Sequence, residues 1–222
     1  MPDYIDLTLV YGADRWSQPF LFESPTIKPI HNHEDHGRSN TFFSSPCHLG
    51  THIDAPYHFI ETGARITELD VSLFIGDAVM LDLRHCPGGD VRISDNDLEA
   101  AAAGRDLTDR IVVLHTGWVD RAFGRDGRDY YGPEHPSFST DAAKWLVGQA
   151  PRSVVVDTLV DVVEPPRHGD NPVHRTILGG GIPIIENVRN LELLPPDGFR
   201  IIALPLALEG ADGAPARVVA EI

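Results

Sequence analysis

His48-Leu49-Gly50-Thr51-His52-Ile53-Asp54-Ala55-Pro56-Tyr57-His58 places three imidazoles and a carboxylate in one short run. Gly50, Thr51, Ile53 and Pro56 oppose a helix on propensity and proline grounds, so the run is read as extended or irregular chain. In an extended strand side chains alternate, with a rise of about 3.3 Å per residue. His52 and Asp54 then share a face about 7 Å apart at Cα, close enough for a common ion. A straight strand leaves His48 about 13 Å from His52, beyond shared coordination of an ion held at about 2.0–2.2 Å. The chain must therefore bend between them, and Gly50 is the residue that tolerates positive φ there. Pro56 stops a pairing partner from extending the strand, and His58 follows as a fourth polar group.

Imidazole with carboxylate suits Zn, Mn or Fe(II) rather than Ca or Mg. Such a donor set leaves coordination positions for water, whereas a structural zinc site is closed by four protein ligands, often cysteines. Catalysis is thereby favoured over the rival class, a non-catalytic metal-binding protein. A serine hydrolase is disfavoured because no G-x-S-x-G elbow occurs in the chain. Cys47 adjoins His48, but a histidine that holds a metal cannot also serve as the base for a thiol nucleophile.

The fixed positions His48, Gly50, Thr51, His52, Asp54, Pro56 and His58 match H-x-G-T-H-x-D-x-P-x-H. This pattern resembles the histidine-rich motif of the cyclase family of metal-dependent hydrolases, which includes bacterial kynurenine formamidase, isatin hydrolase and trans-dienelactone hydrolase. Further blocks resemble the family: Gly63 and Ile66, the Thr116-Gly117-Trp118 turn, Asp157 to Asp161, IPIIEN around Glu186, and the closing LPLALEGADGAPARVVA. Most of the chain is covered. The resemblance implies that His48, His52 and Asp54 bind one metal and that Asp54 bridges to a second held by His174 and Glu186. It implies His58 as proton donor and acceptor. Without it, His174 and Glu186 are only a histidine and a glutamate flanking a Gly179-Gly180-Gly181 turn.

The expected activity is hydrolysis of an amide by metal-activated water, with an aryl formamide such as N-formylkynurenine as substrate. Cyclic amides and lactones are the alternative. The expected cofactor is two Zn²⁺ ions, or Mn²⁺, since both accept these ligands. The N-terminal segment departs from the family: Arg15-Trp16-Ser17-Gln18-Pro19 replaces a W-P-G-D-like turn, with Trp16 taken as the substrate-facing aromatic residue. His31, His33 and His36 have no counterpart in the formamidase pattern and read as a solvated loop.

Composition agrees with a single enzyme domain over 1–222: 42% of residues are hydrophobic, enough for one core. The net charge of −15 disfavours nucleic acid or an anionic membrane as partner. No apolar run approaches the roughly 20 residues needed to span a bilayer. The N-terminus lacks a basic region followed by an apolar one, so a reduced, cytoplasmic protein with unpaired Cys47 and Cys86 is expected. The partner is a small-molecule substrate, and the resemblance implies a homodimer or homotetramer.

Strands are predicted at Tyr4–Val10, Ala78–Leu83, Ile111–His115, Ser153–Asp157, Ile182–Ile185, Arg200–Leu204 and Arg217–Ile222. Helices are predicted after Ser94 and after Ser139 or Thr140, with short turns near 174–179 and 188–193. So few helices do not supply a doubly wound sheet, and a mixed α/β domain fits better. The resemblance implies a swivelling β/β/α fold with its metal site in a cleft and further walls from a neighbouring subunit.

Overall fold

The computed structural model describes residues 2–10, 12, 25–123, 134–161 and 170–222. Its strands in chain order are β1 (Tyr4–Asp6), β2 (Thr26–His31), β3 (Asn40–Ser44), β4 (His52–Asp54), β5 (Ile75–Asp82), β6 (Ile111–His115), β7 (Ser153–Val156), β8 (Ile184–Glu186), β9 (Asp197–Pro205) and β10 (Gly213–Glu221). The helices are α1 (His33–His36), α2 (Asp95–Ala102), α3 (Trp118–Phe123), α4 (Thr140–Gly148) and α5 (Pro172–Gly179).

The Val- and Ile-rich runs of β5, β6, β7 and β8 lie parallel and side by side. Parallel strands need crossovers, and α2 to α5 lie in these connections. Three antiparallel strands complete the circuit: β9 on β5, β10 on β9, and β4 between β10 and β8. The result is a mixed α/β fold built on a closed seven-stranded barrel, with β1 added along β10. Closure removes the sheet edges and depends on β10 pairing with β4 through its first residues and with β9 through the rest.

The strands alternate between two apolar compartments. Ile53, Met80, Val113, Val155 and Ile185 fill the barrel interior with Phe199 and Val218. Val79, Leu81, Val112, Leu114, Val154 and Val156 face outward onto α2, α4 and α5. Burial on both faces explains why these strands read as continuous apolar runs; each buried side chain contributes roughly 1.5–3 kcal/mol.

Local signals set the helix ends. Ser94 Oγ accepts from the Asp97 N–H while the Asp97 carboxylate accepts from the Ser94 N–H, a reciprocal cap on α2. Ser139, rather than Thr140, caps α4 by accepting from the Ala142 N–H. The segment 174–179 is a helix and not a short turn: Asn171 adopts positive φ and Pro172 opens α5 with its φ preset. Strand β1 stops at Asp6, four residues short of the prediction, because Thr8 turns its N–H to the Asp6 carboxylate. Strand β8 begins after Pro183, which has no N–H to donate.

The hairpin of β2 and β3 was not foreseen. It leaves Ile27, Ile30, Phe42 and Phe43 exposed, and α1 sits at its tip. Among the described residues no helix is long and apolar enough to cross a membrane.

Candidate metal centre

Gly50 makes the bend that the sequence requires, at φ +66°. Thr51 then locks the turn: its hydroxyl accepts from the Leu9 N–H and donates to the Asn187 carbonyl. The Gly50 carbonyl accepts from both His52 Nδ1 (2.8 Å) and the Asn187 side chain (3.1 Å). His52 and Asp54 flank Ile53, which points into the barrel, so both project onto the outer, helix-covered face. Register places His52 directly opposite Glu186 on β8, where facing side chains approach most closely.

The helix layer supplies the next donor. His174 lies among Val173, Ile177 and Leu178 on the buried side of α5. Its Nε2 is 3.4 Å from Asp54 Oδ2 and 3.4 Å from Glu186 Oε1. His52 Nε2 is 3.2 Å from Asp54 Oδ1, and His48 Nδ1 is 2.7 Å from the same oxygen. Two atoms each about 2.1 Å from one ion, at angles near 90–110°, lie about 3.0–3.4 Å apart. Around Asp54 the donors fall into two sets, His48 with His52 and Asp54, and Asp54 with His174 and Glu186, and a third group of His48, His58 and Asp212 adjoins them through His48. Asp54 belongs to both sets.

Three observations show that these residues fit divalent cations. Each histidine has one nitrogen held by an acceptor outside the two sets: His48 Nε2 by Asp212 (2.8 Å), His52 Nδ1 by the Gly50 carbonyl and His174 Nδ1 by Asp161 (2.7 Å). That arrangement leaves the other nitrogen of each ring as the ligating one. Asp54 is 1% exposed, yet its Oδ2 accepts no hydrogen bond among the described residues. The cluster also demands positive charge. Burial opposes protonation of His48, but Asp54 and Asp212 lift it to about 10. Burial likewise opposes protonation of His174, yet Asp161, Asp54 and Glu186 hold it well above the ordinary range. Asp54 is driven far down by His52 and His48 against the effect of its own burial.

Sequence reasoning missed two carboxylates. Asp161 accepts from the backbone N–H groups of Val173 and His174, capping α5, as well as from the His174 ring. Asp212 accepts from His48 Nε2 and from His58 Nδ1 (3.0 Å). Both lie in blocks that resemble the family, but an aspartate in a loop carries no spacing that marks it as a partner of histidine.

His58 joins neither set around Asp54. It sits on the 3-10 turn Pro56–His58, stacked on His48 with ring centroids 3.7 Å apart. Burial lowers its pKa. The turn requires Gly63, where a Cβ would lie 2.6 Å from the Pro56 carbonyl carbon. Gly213 plays the same part for His48, since a Cβ there would come within 2.7 Å of the ring. A cavity of about 430 Å³ opens beside His58, lined also by Tyr57, Phe59, Glu61 and Asp212.

Trp16 lies outside the described residues. His31, His33 and His36 lie on the hairpin, and none joins a donor set among the described residues. His85, Cys86 and Asp97 form a separate group at the start of α2, where Asp97 is engaged in the cap of that helix.

Residues 5–161 match the family model Cyclase, described as "Putative cyclase". The chain is 32% identical to the kynurenine formamidase of Bacillus thuringiensis (strain Al Hakam), with 98% of this chain and 96% of the relative covered. Among solved structures it is similar to isatin hydrolase A from Ralstonia solanacearum, with a TM-score of 0.85, 25% identity, and 100% of this chain and 92% of that one covered. It is also similar to a predicted metal-dependent hydrolase from Bacillus stearothermophilus, with a TM-score of 0.75, 25% identity, and 100% and 98% covered. The motif from His48 to His58, the whole-chain likeness to kynurenine formamidase and the matched family model together place this chain in the cyclase family.

Proposed function

We propose that the protein is a two-metal amide hydrolase whose substrate is an aryl formamide such as N-formylkynurenine. His48, His52 and Asp54 would hold one divalent ion, and Asp54, His174 and Glu186 the second, with zinc as the metal and manganese as the alternative. The observation that carries this reading is the pair of donor sets sharing Asp54, with every histidine's spare nitrogen already engaged. When bound, a divalent ion supplies Lewis acidity and lowers the pKa of a water it holds from about 15.7 towards 7.

The protein's own groups do the rest. His58 stands beside the donor sets and on the wall of the cavity, with its side chain 24% exposed. At its Nε2 it takes a proton from the water whose oxygen attacks the formyl carbon, and delivers that proton to the leaving nitrogen as the carbon–nitrogen bond breaks, so that formate and a free arylamine are released. Tyr57 and Phe59, on either side of it, offer aromatic surface to an aryl group. The whole-chain likeness to kynurenine formamidase supports the formamide over a lactam or lactone; the likeness to isatin hydrolase keeps a cyclic amide as the second reading.

The same reading includes a homodimer or homotetramer and the swivelling β/β/α arrangement with its site in a cleft. The apolar residues exposed on the hairpin supply a surface for a second copy of the chain. The test is turnover of N-formylkynurenine, isatin and a dienelactone by one preparation with its metal quantified. Fast formamide cleavage with about two ions per chain supports the proposal. Activity on the lactam or lactone alone replaces the substrate, and no turnover with metal bound overturns the catalytic reading.

A further inference from the structure

Asp212 lies in the loop between β9 and β10, outside both sets of metal donors, yet it holds two imidazoles with one atom. Its Oδ2 is 2.8 Å from His48 Nε2 and 3.0 Å from His58 Nδ1. A carboxylate at such distances accepts, so each of these nitrogens carries its proton. Neutral His58 has a single N–H, and Asp212 claims it for Nδ1. Nε2 is left with its lone pair.

We infer that Asp212 is the positioning residue that fixes His58 in the Nδ1–H tautomer and sets its ring against His48, so that Nε2 is the nitrogen that exchanges protons with substrate. This inference rests on the acid/base role proposed for His58. The logic is that of an aspartate behind a catalytic histidine, which selects the tautomer and stabilises the imidazolium formed in turnover. Here the same oxygen also engages His48, so the acid/base ring and the metal donors share one reference point.

The loop is built to hold that oxygen still. The Asp212 carbonyl accepts from the Ala55 N–H at 2.9 Å, the Ala211 carbonyl accepts from the Ile66 N–H, and Arg65 donates to the Gly210 carbonyl. Gly213 pairs with Asp54 at once afterwards. The carboxylate is 38% exposed and borders the cavity, so its removal empties no core.

The experiment uses the zinc-loaded, full-length protein, its D212A, H58A and double variants, N-formylkynurenine as substrate, and ¹⁵N-edited spectra of the histidine rings. D212A, assayed at saturating zinc because His48 loses its outer partner as well, is expected to lower kcat by at least about 100-fold, with KM within about three-fold. On the H58A background the same substitution should cost nothing further, because the two residues act as a unit. The His58 signal should leave the Nδ1–H pattern in D212A. An equal additional loss on the H58A background or an unchanged tautomer overturns the inference. Full turnover by D212A with H58A inactive overturns this inference alone. Full turnover by H58A removes the acid/base role itself.

Discussion

Asp161 and His174 are joined twice: Asp161 Oδ2 accepts from the His174 backbone N–H at 2.9 Å and from its ring Nδ1 at 2.7 Å. The start of α5 and the aim of its imidazole are therefore fixed by one carboxylate. Asp161→Ala should lower stability by about 1–2 kcal/mol through the lost cap. It should also weaken the ion held by Asp54, His174 and Glu186 by roughly 10–100-fold. Metal titration of the variant checks this: one tight ion and one weak ion are expected, and two tight ions would refute it.

Gly213→Ala brings a methyl group to within 2.7 Å of the His48 ring and 2.6 Å of the Ile53 carbonyl oxygen. The ring must move, and the pairing of β10 with β4 must give as well, since the Ile53 oxygen belongs to the backbone. Loss of affinity at the set containing His48, with α5 and its histidine undisturbed, is the expected result of elemental analysis after dialysis.

His58→Ala should retain both ions, because His58 belongs to neither set around Asp54, while turnover falls by about 10²–10⁴-fold. Full turnover with metal bound would exclude the acid/base role.

Chelation should abolish turnover and leave the barrel folded. The interior of Ile53, Val113, Val155, Ile185 and Phe199 is apolar and separate from the donors. Protons on His48 and His174 balance part of the buried negative charge when the ions leave. Circular dichroism before and after chelation distinguishes this from a structural metal, whose removal unfolds the chain.

Asp157 supplies a pH dependence remote from the donor sets. It accepts from the Thr116 N–H and hydroxyl and from the Gly117 N–H, yet burial outweighs these bonds and, with Asp120 adding to it, raises the carboxyl to about 6. The folded value lies above the ordinary 3.8, so the group's contribution to stability is full below pH 3.8 and is lost as pH rises through about 6. The stability difference between wild type and Asp157→Asn should favour wild type by about 1 kcal/mol more at pH 5 than at pH 7. Urea denaturation at the two values measures it.

What was legible in the sequence follows from the range of the forces involved. The bend at Gly50, the shared face of His52 and Asp54 and the caps at Ser94 and Ser139 are local, and short segments declare them. Strands β5 to β7 were visible because burial on both faces makes their composition uniformly apolar. Barrel closure was not visible, since pairing of β10 with both β4 and β9 joins residues far apart in sequence. Helix α5 was read as a turn because its N-terminal amides are satisfied by Asp161, eleven residues before Pro172. His174 and Glu186 were reached only through family resemblance; Asp212 needs the fold to meet His48 and His58.

The place of β4 between β10 and β8 carries a consequence for folding. The strand that carries His52 and Asp54 is held on one side by Gly213–Pro215, far along the chain. On its other side β4 pairs with β8, so the donors meet only when segments far apart in sequence have come together. Tight metal binding would therefore report that the barrel has closed.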